Sequence, residues 1–169
     1  MAHPNVEAQF KDVVNATWAA LKDAGFTKRG TSFRIESGGN VQIIDFQRSS
    51  DSSASAIKFT VNLGVISGEL LRKWDPEKVL SKEGVWSAHL RERIGALTPA
   101  KEDKWWTVTS FPVANIKEEV ANLIATLAVP FLRQHAHDSD LIALWQTGRS
   151  PGLTEGQKIR NLALLSEAS

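Results

Sequence analysis

Residues able to do chemistry fall in a few short clusters. His135-Ala136-His137-Asp138, followed by Asp140, puts four metal-capable side chains within six residues. Side chains two apart on a helix point nearly opposite ways, so His135 and His137 converge on one ion only in an extended segment. The spacing fits better with cationic histidines near the end of one helix and Asp138 as the N-cap of the next. No metal site and no cofactor are expected. Ser55-Ala56-Ile57-Lys58 has the S-x-x-K spacing of some serine acylases. That chemistry needs the pair on the first turn of a helix. Here the tetrapeptide enters a strand, where positions three apart face opposite sides. The chain carries no phosphate-cradling G-x-x-x-x-G-K and no G-x-G-x-x-G. No catalytic residue is assigned.

Three polar or aromatic features are better candidates for a binding surface. Asp45 interrupts a strand-like run, Val41 to Arg48, and an acid there is costly unless paired. Val41, Ile43, Asp45 and Gln47 share one face of that strand. Arg91 or Arg93 on a neighbouring strand is a potential partner, which makes Asp45 either half of a cross-strand ion pair or part of a polar pocket with Gln47, Asn62, Arg91 and Arg93. His89, Arg91 and Arg93 form the one concentrated basic row, suited to a phosphate, a carboxylate or an acidic protein surface, or else simply solvated. Trp105 and Trp106 are adjacent, so on a strand they point to opposite faces. One belongs in the core. The other is a contact anchor if it is exposed beside the arginines, and a core residue if helices cover it.

The elements that must position these residues follow from periodicity. Val6, Phe10, Val13, Val14, Trp18 and Leu21 make one apolar stripe, which predicts a helix over 5–24 with Asn5 as N-cap and Gly25 just past its end. Gly25 to Val65 reads as three strands. Residues 31–36 and 41–48 flank Ser37-Gly38-Gly39-Asn40, a hairpin turn, and the polar Ser49–Ser55 segment leads to a strand over 56–65. In that last strand Ile57, Phe59, Val61, Leu63 and Val65 alternate with Lys58, Thr60, Asn62 and Gly64, which predicts one buried and one polar face. Asp75-Pro76 should start a short helix ending by Gly84. Residues 85–94 and 105–111 read as two further strands. Asn115 with Glu118 resembles a capping box for a helix that Pro130 should kink or end. A short helix from Asp138 to Gln146, a turn over 148–152 and a last helix capped by Thr154 and Gln157 complete the chain. The sum is an α+β fold: an antiparallel sheet of about five strands, with the N-terminal helix and the C-terminal helices packed on one face.

Composition narrows the class. The chain has 169 residues, no cysteine, and 20 basic against 19 acidic side chains for a net charge of +1. That length suits one domain spanning 1–169 and needs no disulfide or thiolate metal staple. The sequence pI of 8.0 lies below the level of about 9 that marks a dedicated nucleic-acid binder. Nothing resembles a secretion signal or a membrane span, so a soluble cytoplasmic protein is expected. Six tryptophans stand against no tyrosine; indoles bury large areas with a single donor each.

Several stretches in order, GFTKRGTSFR, VQIIDFQRS, FTVNLGV and RERIG before a DKWW pair, resemble the bacterial domain-of-unknown-function family DUF4304. The resemblance runs from about Val6 to Leu132 and leaves 138–169 as a C-terminal helical extension. It implies the same α+β fold and brings no established reaction, ligand or catalytic residue. The function expected from the residues is a non-enzymatic protein-binding or accessory module using the polar sheet face around Asp45, Gln47, Asn62, His89, Arg91, Arg93, Trp105 and Trp106. An enzyme or small anionic-ligand binder on that face is the first alternative and single-stranded nucleic-acid binding, disfavoured by charge, the second.

Overall fold

The long alternating run Ala56–Ile66 (β4) forms the spine of the sheet. The computed structural model describes residues 1–112 and 115–167. β4 pairs antiparallel with Asn40–Arg48 (β3), which pairs with Ser32–Ser37 (β2), which pairs with Thr27–Arg29 (β1). On its other edge β4 pairs end to end with two short strands, Leu90–Arg93 (β5) through residues 62–65 and Trp106–Thr109 (β6) through residues 56–59. The sheet is therefore six-stranded and antiparallel. The Gly25–Val65 stretch holds four strands rather than three, because Thr27–Arg29 folds back on β2 around Gly30-Thr31 as a short exposed edge. The β2–β3 turn forms as expected: Gly38 and Gly39 take φ of +59° and +84°, the pair of left-handed conformations that a two-residue hairpin of matching twist requires.

Pro4–Leu21 (α1) lays Val6, Phe10, Val13, Val14 and Leu21 against the sheet. Its N-cap is His3, whose ring accepts from the Asn5 N–H, rather than Asn5 itself. Pro4 at the first helical position sets that start, since proline has no N–H to orphan. The cross-strand register puts Phe33, Ile44, Phe46, Phe59, Val61, Leu63 and Trp106 on this face. Their rings meet Phe10 in a continuous cluster, with centroids 5.3 Å apart for Phe10–Phe59 and 5.6 Å for the stacked Phe59–Trp106 pair.

The C-terminal helices close the same core. Ile116–Leu123 (α3) runs into a five-residue π-helical stretch, Ile124–Ala128, and on into Val129–Gln134 (α4). Pro130 thus neither ends nor sharply breaks the helix. The widened π turn just before it takes up the missing donor and the bulk of the ring. Asn115 sits at φ +80° and makes no side-chain cap, so the expected capping box with Glu118 does not form. Asp138–Gln146 (α5) is capped by His137, whose N–H donates to Asp140 Oδ2 at 3.0 Å; Asp138 is one residue too late for that role. Glu155–Glu167 (α6) has its expected box, Thr154 N–H to Gln157 Oε1 at 3.0 Å and Gln157 N–H to Thr154 Oγ1 at 3.2 Å. Leu141, Trp145 and Leu165 bring α5 and α6 into the main core. No described helix is long and apolar enough to cross a membrane.

The second sheet face departs most from expectation. Every residue of β4 from Phe59 to Ile66 is buried, whichever side it points to. Half of that second face is covered by Gly68–Trp74 (α2), capped by Ser67, and by the 3₁₀ turns at 80–82 and 85–87. Val41, Ile43 and Ile66 there pack on Leu71, Val85 and Ala88 as a separate small core. Asp75-Pro76 starts no helix, and residues 85–89 turn before β5 rather than extending it. Arginines of the sheet hold this cover in place. Arg34, only 8% exposed, donates to the carbonyls of Leu80 and Glu83 at 2.9 Å each, and Arg29 donates to Ser81 O at 2.7 Å. Gly64 permits the contact: a Cβ there would lie 2.8 Å from that of Ala88. Asn40 ties the layers together, accepting from the Gly68 N–H while donating to Ala136 O and Asp138 Oδ1.

Candidate functional site

Beyond that cover the second face carries a polar row whose centre is itself buried: Asn62 is 6% exposed, and Thr60 beside it is fully buried and donates its hydroxyl to Lys104 O at 2.7 Å. Cross-strand register aligns Ser32, Asp45, Asn62 and Arg93 across β2, β3, β4 and β5. Gln47 Oε1 accepts from Asn62 Nδ2 at 2.8 Å, so those two side chains orient one another. Asp45 and Arg93 do not pair. Asn62 stands between them, since each sits one strand away from it on opposite sides, and strands lie about 4.8 Å apart. Arg93 instead binds Asp103 of the β5–β6 loop, Nη1 to Oδ2 at 2.6 Å.

The same Asp103 oxygen accepts from Trp105 Nε1 at 2.9 Å. The Trp105 ring then lies under two cations, with Arg93 Cζ 5.2 Å and Lys58 Nζ 5.4 Å from its centroid. Adjacency on a strand separates the two indoles: Trp105 takes the second face, while Trp106, 5% exposed, is in the main core. The strand alone could not say which was which, because that depends on what each face meets.

Asp45 is half-buried and has no cation partner among the described residues. Burial pushes its carboxyl up to about 6, and the Ser32 hydroxyl bonded to it holds it partly back. In the unfolded chain the group titrates near 3.8. Between those two values the folded form binds more protons, so Asp45 lowers stability as pH rises through the window and exerts its full penalty above it. We expect Asp45→Asn to stabilise the fold by about 1–2 kcal/mol at pH 8, with solvent screening of this partly open site included. The gain should vanish near pH 4; urea titrations at both pH values check it, and an equal gain at both would assign the effect to something other than ionisation.

The basic row is broken up. Only Arg93 belongs to the open end. Arg91 lies opposite Gly64, further along the face. His89 precedes β5 and its Nδ1 accepts the Ser67 N–H at 3.0 Å. Burial brings His89 down to about 4, an effect that Asp138 and Asp75 only partly offset, so it is neutral at physiological pH and no part of a cationic patch.

Trp86 was not among the residues the sequence singled out. It is 63% exposed and stands between two concavities. One, of about 300 Å³, includes Asn62, Arg91 and Arg93. The other, of about 400 Å³, lies against α2 and α6. Its only sequence signal is an indole straight after Gly84-Val85, in a segment with no helical stripe.

The remaining motifs do not assemble. Ser55 directly precedes β4 and Lys58 lies on it, so the pair is on no helix, and no group of three or more metal-capable side chains converges among the described residues. Gly148-Arg149-Ser150-Pro151-Gly152, read above as a turn, also has G-x-S-x-G spacing. It joins two helices rather than a strand to a helix, the context a nucleophile elbow requires. Ser150 is 4% exposed and its hydroxyl accepts from Trp145 Nε1 at 3.0 Å.

The family model described as a domain of unknown function, DUF4304, matches residues 17–134. No curated protein and no solved structure matches the chain. The match spans β1 to β6 and α2 to α4, including every element of the polar row, and excludes α5 and α6. That match covers well over half of the sequence: the chain belongs to the DUF4304 family.

Proposed function

We propose that the chain is a non-enzymatic protein-binding or accessory module whose contact surface is the polar end of the second sheet face, around Trp105 and Arg93. One observation carries this reading. Trp105 is kept out of the core and fixed in place, its N–H on Asp103 and its ring beneath Arg93 and Lys58. Tryptophan and arginine are the side chains that most often anchor protein contacts. A cluster already locked before binding loses little side-chain freedom on association. Gln47, oriented by the buried Asn62, supplies a polar rim beside it.

The test is capture of protein partners by the tagged chain and by its Trp105→Ala and Arg93→Ala variants, with nuclease present. A stoichiometric partner that falls by tenfold or more with either variant supports the reading. Equal recovery by all three proteins overturns it. A second reading, an enzyme or ligand site using Asp45 as acid or base, is favoured by that carboxyl's titration close to neutrality. Asp45→Asn separates the two, since it leaves a contact anchored on Trp105 intact but removes any proton transfer.

A further inference from the structure

We propose that the groove between α2, α6 and the approach to β5 binds a small planar molecule bearing a phosphate monoester, the chemistry of a nucleoside monophosphate. The site shares no residue with the Lys58–Arg93–Trp105 cluster. It encloses about 400 Å³ and is lined by Trp74, Trp86, His89, Arg91, Gln157 and Arg160 among others. Small-molecule sites begin at about 300 Å³.

Its donors lack acceptors. Arg91 and Arg160 make no ion pair among the described residues, and Arg91 Nε is buried with no hydrogen-bond partner. The acid at the rim, Asp75, is paired with Lys78 at 3.3 Å. His89 adds a third donor: with Nδ1 accepting from Ser67, the neutral ring carries its hydrogen on Nε2. Two guanidiniums match the charge of a phosphate monoester, about −1.5 to −2 at neutral pH, and guanidinium forks fit its oxygens.

The aromatic side of the groove accounts for the planar part. Trp86 leaves an indole in solvent at the rim, a surface on which a flat heterocycle stacks. Trp74 is already occupied, its ring under Arg160 and its N–H on Asn161 Oδ1 at 3.2 Å. That arrangement holds the Arg160 guanidinium at the groove wall. Lys73 Nζ, donating to Leu164 O at 2.7 Å, pins α6 to α2. One wall therefore comes from the family-matched region and the other from residues beyond it.

The experiment titrates the full chain with AMP, GMP, UMP and CMP in turn, with adenosine and inorganic phosphate as controls, by calorimetry and tryptophan fluorescence. We expect at least one nucleotide to bind in the micromolar to millimolar range and to outcompete both controls. Arg91→Gln and Arg160→Gln should each weaken it about ten- to hundredfold, the effect of losing a charge-assisted hydrogen bond. Should either variant unfold, Trp86→Ala replaces it, because that exposed side chain supports no core, and it should weaken binding similarly. Absence of binding by all four nucleotides overturns the proposal. So does phosphate binding as tightly as any nucleotide, or an affinity that none of the folded variants changes.

Discussion

Phe59→Ala should cost about 3–5 kcal/mol in a denaturant titration, the usual loss for removing a buried ring and leaving a cavity. Phe59 has no exposed surface and sits at mid-sheet on β4. Its ring touches Phe10 edge-on, Phe46 at 5.8 Å and Trp106 face to face. The residue thus joins α1, β3, β4 and β6, and no neighbour can refill its volume without giving up its own packing. Aromatic pairs add about 0.5–1.5 kcal/mol beyond area burial, which places the loss toward the upper end. Trp105→Ala is the matched control. It removes a larger ring from the same sheet but from its solvent side, and should cost about 1 kcal/mol, the worth of a cation–π contact at a semi-exposed site. If the two variants lose equal stability, the division of the sheet into one core face and one binding face is wrong.

The second large effect is an acid lability centred on His89. Its folded value is about 4 against 6.5 unfolded, chiefly through burial. Between those values the unfolded chain takes up more protons than the folded one, so stability falls as pH drops through the window. That difference is worth about 3 kcal/mol at the acid end, and residual solvent at the site brings it to about 2 kcal/mol. Asp45 acts with the opposite sign over an overlapping range, from about 6 down to 3.8. The two partly cancel in the wild-type curve and must be resolved by variants. His89→Asn keeps an oxygen where Nδ1 accepts the Ser67 N–H and removes the titration. Its stability relative to wild type should improve steadily from pH 7 to pH 4, read in an Asp45→Asn background. A difference that stays flat with pH would show that His89 is not held neutral by the fold. Protonating His89 would also take its Nδ1 away as an acceptor, and with it one tie between β5 and the cap of α2.

Local chemistry alone determined much of this protein. The period-of-two pattern of Ile57 to Val65 located the central strand, the 3–4 spacing of Val6 to Leu21 located α1, and Gly38-Gly39 and Thr154 with Gln157 marked a turn and a cap that form as read. Each of these signals is carried by residues within one turn or one strand of each other and agrees with the distant contacts, whereas Asn115 with Glu118 and Asp75-Pro76, equally local, do not form as read. The α+β class was legible on the same basis, and the family relationship through the resemblance of several short stretches in order. The tertiary structure decided everything that depended on what lies opposite a residue. Lys58, Thr60, Asn62 and Gly64 look like a solvated face in sequence, yet the 67–89 segment covers half of it, held by Arg29 and Arg34 from strands far away in the chain. His89 looks cationic beside two arginines, and burial makes it neutral. Asp45 looks like the partner of Arg91 or Arg93, yet it pairs with neither: Asn62 stands between it and Arg93, which binds Asp103. Periodicity tells which side of an element a residue takes. Only the packed chain sets whether that side meets solvent, core or an opposite charge, because burial and pairing are properties of two surfaces rather than one.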